Sequence, residues 1–182
     1  LAGRAATELA DNLECRVSWK AIGSIGASSD KLIRTLLPRL PETRVDFFVV
    51  SIGVNDVTAL ARLSTFRRNL ERLFDALERH SPAAITAIAG IPPLRGFPLL
   101  PQPLRALFGL RGDTFDGTIQ KVAAERTSVA FVPLDFDPLP EKFSADGFHP
   151  SEESYREFGR MVAEQLVQAF QDRPDRYVAA RQ

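Results

Sequence analysis

Asp146 and His149 stand three residues apart in Ala145-Asp146-Gly147-Phe148-His149-Pro150-Ser151, a turn that leads into a strongly amphipathic stretch. The chain has two histidines, so imidazole-based acid–base chemistry near neutral pH must use His80 or His149. His80 closes a long helical pattern just before Ser81-Pro82, where a cation suits the helix dipole and a proline stop is expected. His149 has a carboxylate beside it. An imidazole there can take a proton from a hydroxyl nucleophile and return it to a leaving alcohol. Asp146 can accept a hydrogen bond from its Nδ1, fixing the tautomer and stabilising the imidazolium. That is the chemistry of acyl transfer, although Asp-Gly is also an ordinary turn pair.

Two other stretches could serve the same chemistry. The side-chain amide of Asn55 in Gly53-Val54-Asn55-Asp56 and the backbone N–H of Gly26 in Ser24-Ile25-Gly26-Ala27-Ser28 could point at one developing oxyanion. Removing one such donor typically costs about 2.7–4 kcal/mol of transition-state stabilisation. Each stretch also has a plainer reading, the first as a turn with a helix N-cap and the second as a strand-to-helix turn.

The elements that would position these residues alternate. Leu1, Ala5, Leu9 and Leu13 mark one face of a first helix, and Arg16 to Ile22 alternates as a strand would. Ser28 or Ser29 would cap a helix carrying Leu32, Ile33, Leu36 and Leu37, stopped by Pro38. Val45 to Ile52 and Ala84 to Ile91 are nearly continuous apolar runs, the mark of parallel strands buried on both faces. Between them a helix from about Leu60 to Arg79 turns Leu63, Phe66, Leu70, Leu73, Phe74 and Leu77 inward. Pro92 to Leu107 has no periodicity. A helix from Asp113 to Ala124, a strand from Ser128 to Leu134, a loop to Ala145 and a helix from Glu152 to Phe170 follow, with a polar tail over 172–182. This order predicts a doubly wound α/β domain over 1–182, with ligands at the carboxyl ends of its strands. The first element is a helix with no strand feeding it. A flavodoxin-like strand order, 2-1-3-4-5, would put the absent strand at the sheet's centre, so we expect a strand and turn ahead of Leu1.

Gly53-x-Asn55-Asp56 after a buried strand resembles the Asn-containing block of the SGNH, or GDSL-type, hydrolases. Asp146-x-x-His149-Pro150 before the last helix resembles their final Asp/His block, and Gly26 in its turn resembles their glycine block. The resemblance runs in order along essentially the whole chain. It implies a flavodoxin-like three-layer α/β/α sandwich and serine-dependent hydrolysis of carboxyl esters or thioesters of small molecules, with Asp146 and His149 catalytic. It implies Gly26 and Asn55 as the oxyanion hole, and no metal or organic cofactor. The family's Gly-Asp-Ser nucleophile block does not occur here, and its place coincides with that of the absent strand. Gly112-Asp113-Thr114 begins a helix late in the chain and is no substitute. Ser24, Ser28, Ser29, Ser51, Ser144 and Ser151 are each bound to another local role. Phe97, Leu99 and Leu100, in the aperiodic Pro/Phe/Leu stretch, could wall an acyl or alcohol pocket, or only pack a lid.

Composition narrows the alternatives. Lys plus Arg and Asp plus Glu are 23 each, so no basic footprint points to nucleic acid. No apolar run approaches the ~20 residues of a membrane span, and no secretory signal is visible. The single cysteine, Cys15, fits a reducing compartment, and a cytoplasmic location is expected. Oligomeric state is not legible. Gly23-x-x-Gly26 is not a dinucleotide fingerprint. The reading from another class is a binding module for a small acyl or carbohydrate ligand, an SGNH-like domain without its nucleophile.

Overall fold

The computed structural model describes residues 1–97, 99–134, 139–147 and 149–173. Its centre is a parallel sheet of three strands, β1 (Phe47–Ser51), β2 (Ile85–Ala89) and β3 (Val129–Val132), in the order β1-β2-β3. Phe47 is in register with Ile85 and Ser51 with Ala89, while Thr86 pairs with Val129 and Ala89 with Val132. Every residue of β2 is buried, as a strand with a neighbour on each edge and helices on each face must be.

Helices form the outer layers. On one face α1 (Ala2–Asn12) packs with the C-terminal helix α6 (Glu152–Gln171), and Ala5, Leu9, Val162, Ala163 and Leu166 meet Ile85, Ala87 and Val132. On the other face lie α4 (Leu63–His80) and α5 (Leu104–Ala124), joined by Val50, Ile88 and Ile91 of the sheet side. The rings of Phe66 and Phe115 sit 4.8 Å apart in this layer, both fully buried. Burial of side chains of this size contributes roughly 1.5–3 kcal/mol each. Helix, sheet and helix make a three-layer α/β/α sandwich, as the alternation of elements predicts. Two short helices stand between the layers and the site. They are α2 (Ser29–Lys31), continued by a π-helical turn at Leu32–Leu36 and a 3₁₀ turn at Leu37–Arg39, and α3 (Val54–Thr58).

Three expectations are corrected. The stretch 16–22 is not a strand: it has no regular secondary structure and is largely exposed, with the indole of Trp19 against Gly3. Its alternation suits an edge strand, but among the described residues it pairs with no strand of the sheet. The helix expected from Leu60 starts at Leu63, behind a separate turn of helix, α3, that has no periodic signal of its own at five residues. Finally, α5 begins at Leu104, nine residues before Asp113. Leu104, Leu107 and Leu110 are exposed while Phe115, Ile119 and Val122 are buried, so apolar residues circle the helix and no single stripe shows. Gly109 and Gly112, which weaken a helical reading, let the turn at Leu94–Gly96 approach: a Cβ on Gly109 would lie 2.7 Å from Arg95 Cβ. The expected loop at 135–138 and the tail over 174–182 lie outside the described residues.

Candidate active site

The carboxyl end of β1 runs through Ile52 into Gly53, which holds φ +120° at the start of α3. Only glycine adopts that conformation readily, and a Cβ there would lie 3.0 Å from Ile91 Cδ1 and 3.2 Å from Phe66 Cζ. The turn throws the next residues back over the strand end. Asn55 and Asp56 stand inside α3 and do not cap it, and they point different ways: Asn55 is exposed, Asp56 fully buried. The Asn55 amide donates to the carbonyl of Ala27 at 3.0 Å. An amide nitrogen carries two hydrogens, so this bond fixes the group's orientation while using one of them.

Ala27 belongs to the glycine-containing turn. Its N–H closes the turn onto the Ser24 carbonyl at 3.2 Å, with Gly26 at φ +66° and exposed. Ser28 then caps α2, accepting from the Lys31 N–H. The structure therefore brings Gly26 and Asn55, far apart in sequence, to neighbouring positions. The Asp56 carboxylate holds the same turn from below. It accepts from the Ser29 N–H at 2.8 Å and from the Ser29 hydroxyl at 2.6 Å, and the buried amide of Asn69, on α4, donates to Ser29 Oγ at 3.0 Å. Burial pushes the Asp56 carboxyl up from its ordinary value, against the opposing pull of the two Ser29 bonds.

The other half of the site follows β3. Phe143 and Pro150 form an antiparallel bridge, the Ser144 N–H donates to the His149 carbonyl at 2.8 Å, and the Ser151 N–H donates to the Lys142 carbonyl at 2.9 Å. Ser151 caps α6, accepting from the Ser154 N–H. Within this small frame Nδ1 of His149 lies 2.5 Å from Oδ2 of Asp146. Oδ1 of the same carboxylate accepts from the His149 N–H at 2.9 Å and from the Ser144 hydroxyl at 2.8 Å. Both side chains are open to solvent, at 65% for His149 and 50% for Asp146. The pair is thus oriented by three bonds and accessible.

Of the three pocket candidates, Phe97 and Leu100 are buried in the core, Phe97 with its ring 4.9 Å from that of Phe143 and nearly perpendicular. Leu99 is exposed, and its N–H donates to the Gly147 carbonyl at 3.3 Å. The Pro/Phe/Leu segment is thereby tied to the turn that carries His149. His80 lies at the far, amino end of the strands. Its Nδ1 is 2.8 Å from Ser81 Oγ and its Nε2 is 2.6 Å from the Pro41 carbonyl, while Ser81 Oγ also accepts from the Val45 N–H.

Ser144 supports the histidine turn, as its expected local role implies, but sequence reasoning missed Asp56, Ser29 and Asn69 as supports of the glycine turn. Asp56 left a trace, a carboxylate directly after Asn55 in a strand-to-helix turn. A carboxylate is rarely fully buried without partners.

Residues 1–157 match the GDSL-like Lipase/Acylhydrolase family. The chain belongs to this family. It is 33% identical over 135 residues to a GDSL-like esterase of Mycobacterium tuberculosis, an overlap covering 70% of this chain and 40% of that protein. The chain therefore spans well under half of that relative's length. Among solved structures, a family 3 carbohydrate esterase of Clostridium thermocellum superposes with a TM-score of 0.66 at 18% identity, covering 93% of this chain and 87% of its own. An extracellular lipase of Streptomyces rimosus superposes at 0.63 with 18% identity, covering 90% and 86%. These two likenesses establish the GDSL-type sandwich as the fold.

Proposed function

We propose that the protein is a carboxylic ester hydrolase in which His149 is the general base and acid, Asp146 its orienting carboxylate, and Asn55 with the N–H of Gly26 the oxyanion hole. The observation that carries the reading is the 2.5 Å pairing of His149 Nδ1 with Asp146 in a member of the GDSL-like family. With Nδ1–H held by the carboxylate, Nε2 is the basic nitrogen. It would take the proton of a serine hydroxyl as that oxygen attacks the ester carbonyl, then deliver it to the departing alkoxide. Water repeats the cycle on the acyl-enzyme. Asn55 and Gly26 would donate to the carbonyl oxygen as it becomes an oxyanion.

The mechanism calls for a serine nucleophile. Ser28, Ser29, Ser144 and Ser151 are committed to the local bonds already described, which supports placing the nucleophile on another element. Among the described residues one edge of β1 is not paired, and it could receive one more strand, whose carboxyl end would face Gly26 and Asn55. Leu99 is the exposed apolar group beside the histidine turn and would border the acyl or alcohol group. Small-molecule esters are the substrate class.

The test is hydrolysis of p-nitrophenyl acetate by the full-length protein, with labelling by a fluorophosphonate. Parent protein should turn over ester and take the label on a serine. His149→Ala should lose activity by at least about 10²-fold while remaining folded. Full activity in that variant would overturn the assignment.

A further inference from the structure

We infer that Asp56 is a positioning residue for the oxyanion hole, acting through Ser29 to hold the Gly26 turn at the distance from Asn55 that an oxyanion requires. The inference rests on the ester-hydrolase reading above. Two donors that must converge on one oxygen come here from separate segments, and each is a weakly anchored position. Gly26 is an exposed residue in a four-residue turn, and Asn55 is an exposed residue on a helix of five. One bond between the segments near the surface, Asn55 to the Ala27 carbonyl at 3.0 Å, orients the amide but leaves the turn free to pivot.

The pivot is stopped from inside. Asp56 follows Asn55 directly on α3, and Ser29 follows Gly26 by three. Both oxygens of the carboxylate are used on Ser29, one on the N–H at 2.8 Å and one on the hydroxyl at 2.6 Å, so rotation about a single bond is blocked. Asn69, from α4, fixes the hydroxyl's remaining geometry at 3.0 Å. All three side chains are buried, with Asp56 at 2%, Ser29 at 4% and Asn69 at 6% exposed. In such surroundings hydrogen bonds are strong and an unmade one is costly, so the network admits few alternatives. A carboxylate that served only to cap a helix would have no reason to reach between segments 27 residues apart.

The consequence falls on the step in which charge develops on oxygen, and hardly on substrate binding. Loosening the latch should lower kcat and spare KM, because the donors matter most in the transition state.

The experiment measures steady-state hydrolysis of p-nitrophenyl acetate by full-length parent, Ser29→Ala, Asp56→Asn and His149→Ala, together with inhibition by phenylboronic acid. Phenylboronic acid adds to a serine oxygen to give a tetrahedral adduct with an oxygen in the oxyanion position. Rates are compared at a temperature where near-UV circular dichroism shows each variant folded. In Ser29→Ala and Asp56→Asn, kcat should fall about 10- to 100-fold with KM within about threefold, and boronate affinity should fall by a similar factor to kcat/KM. If Asp56→Asn does not fold, Ser29→Ala carries the test, since its backbone N–H still donates to one oxygen of the carboxylate. Folded variants with parent-like kcat and boronate affinity, alongside an inactive His149→Ala, would overturn the latch alone. A fully active His149→Ala would overturn the hydrolase reading and the latch with it.

Discussion

Oδ1 and Oδ2 of Asp146 do different jobs toward His149: one accepts the backbone N–H at 2.9 Å, the other faces the ring at 2.5 Å. The first bond sets where the residue's backbone lies and the second sets how its ring turns, so one carboxylate fixes both. Asp146→Asn keeps a side chain that can accept the backbone bond but presents an amide to the ring. It should lower kcat by about 10²–10⁴-fold with little change in folding. Steady-state kinetics beside a thermal melt checks this, and a loss of both activity and structure would mean the residue only builds the turn.

Gly53→Ala should destabilise the fold, by about 1–3 kcal/mol from backbone strain and crowding together. Its φ of +120° disfavours any side chain, and the new Cβ would press Ile91 and Phe66. Urea denaturation monitored by circular dichroism measures the change. A neutral result would show that the turn can relax without cost.

The raised pKa of Asp56 predicts a sign for the pH dependence of stability. Burial lifts the folded carboxyl above its ordinary value of 3.8, so in the window between the two values the folded chain binds more protons than the unfolded one. Stability from this group is fully present below the ordinary value and is lost as pH rises through the folded value. Asp56→Asn should remove that decline. The difference in unfolding free energy between parent and variant, followed from about pH 4 to 7, cancels the other carboxylates; a flat difference would contradict the prediction.

Leu99→Ser tests the border of the substrate site. The side chain is 59% exposed, so stability should move by no more than about 0.5 kcal/mol. If Leu99 touches the acyl group, the preference for butyrate over acetate esters should shrink, read as the ratio of the two kcat/KM values. An unchanged ratio would remove Leu99 from the site.

How much of this was legible in the sequence depends on where each signal resides. Parallel strands announce themselves by apolar residues on both faces, and Phe47–Ser51 and Ile85–Ala89 lie inside the two runs that predict them; β2 is buried throughout as expected, whereas β1 is mostly half-buried and ends on an exposed Ser51. In the α4 stripe Phe66, Leu70, Leu73, Phe74 and Leu77 are buried as their spacing demands, while Leu63, expected to face inward with them, is exposed at the helix's first turn. Arg16 to Ile22 shows the limit of this reasoning: alternation describes a face, and a strand exists only where a neighbour pairs with it, which none does here among the described residues. The first turns of α5 were hidden for the opposite reason, since apolar residues on all sides erase the stripe. At the site, Asp146 and His149 are close in sequence, so their spacing alone suggests a contact. The Asp56–Ser29–Asn69 cluster joins residues from three segments, and nothing in local spacing announces it.

The second histidine has a use of its own. His80 is engaged through both ring nitrogens at the amino end of the sheet, away from Asn55 and Asp146. A chain with two imidazoles gives two sets of ring resonances, and here one belongs to the scaffold and the other to the proposed chemistry. Ring signals that move when an ester analogue or boronate is added should be those of His149, with His80 as an internal reference in the same spectrum. The protein thus carries its own reporter of site occupancy, with no label to attach and no residue to replace.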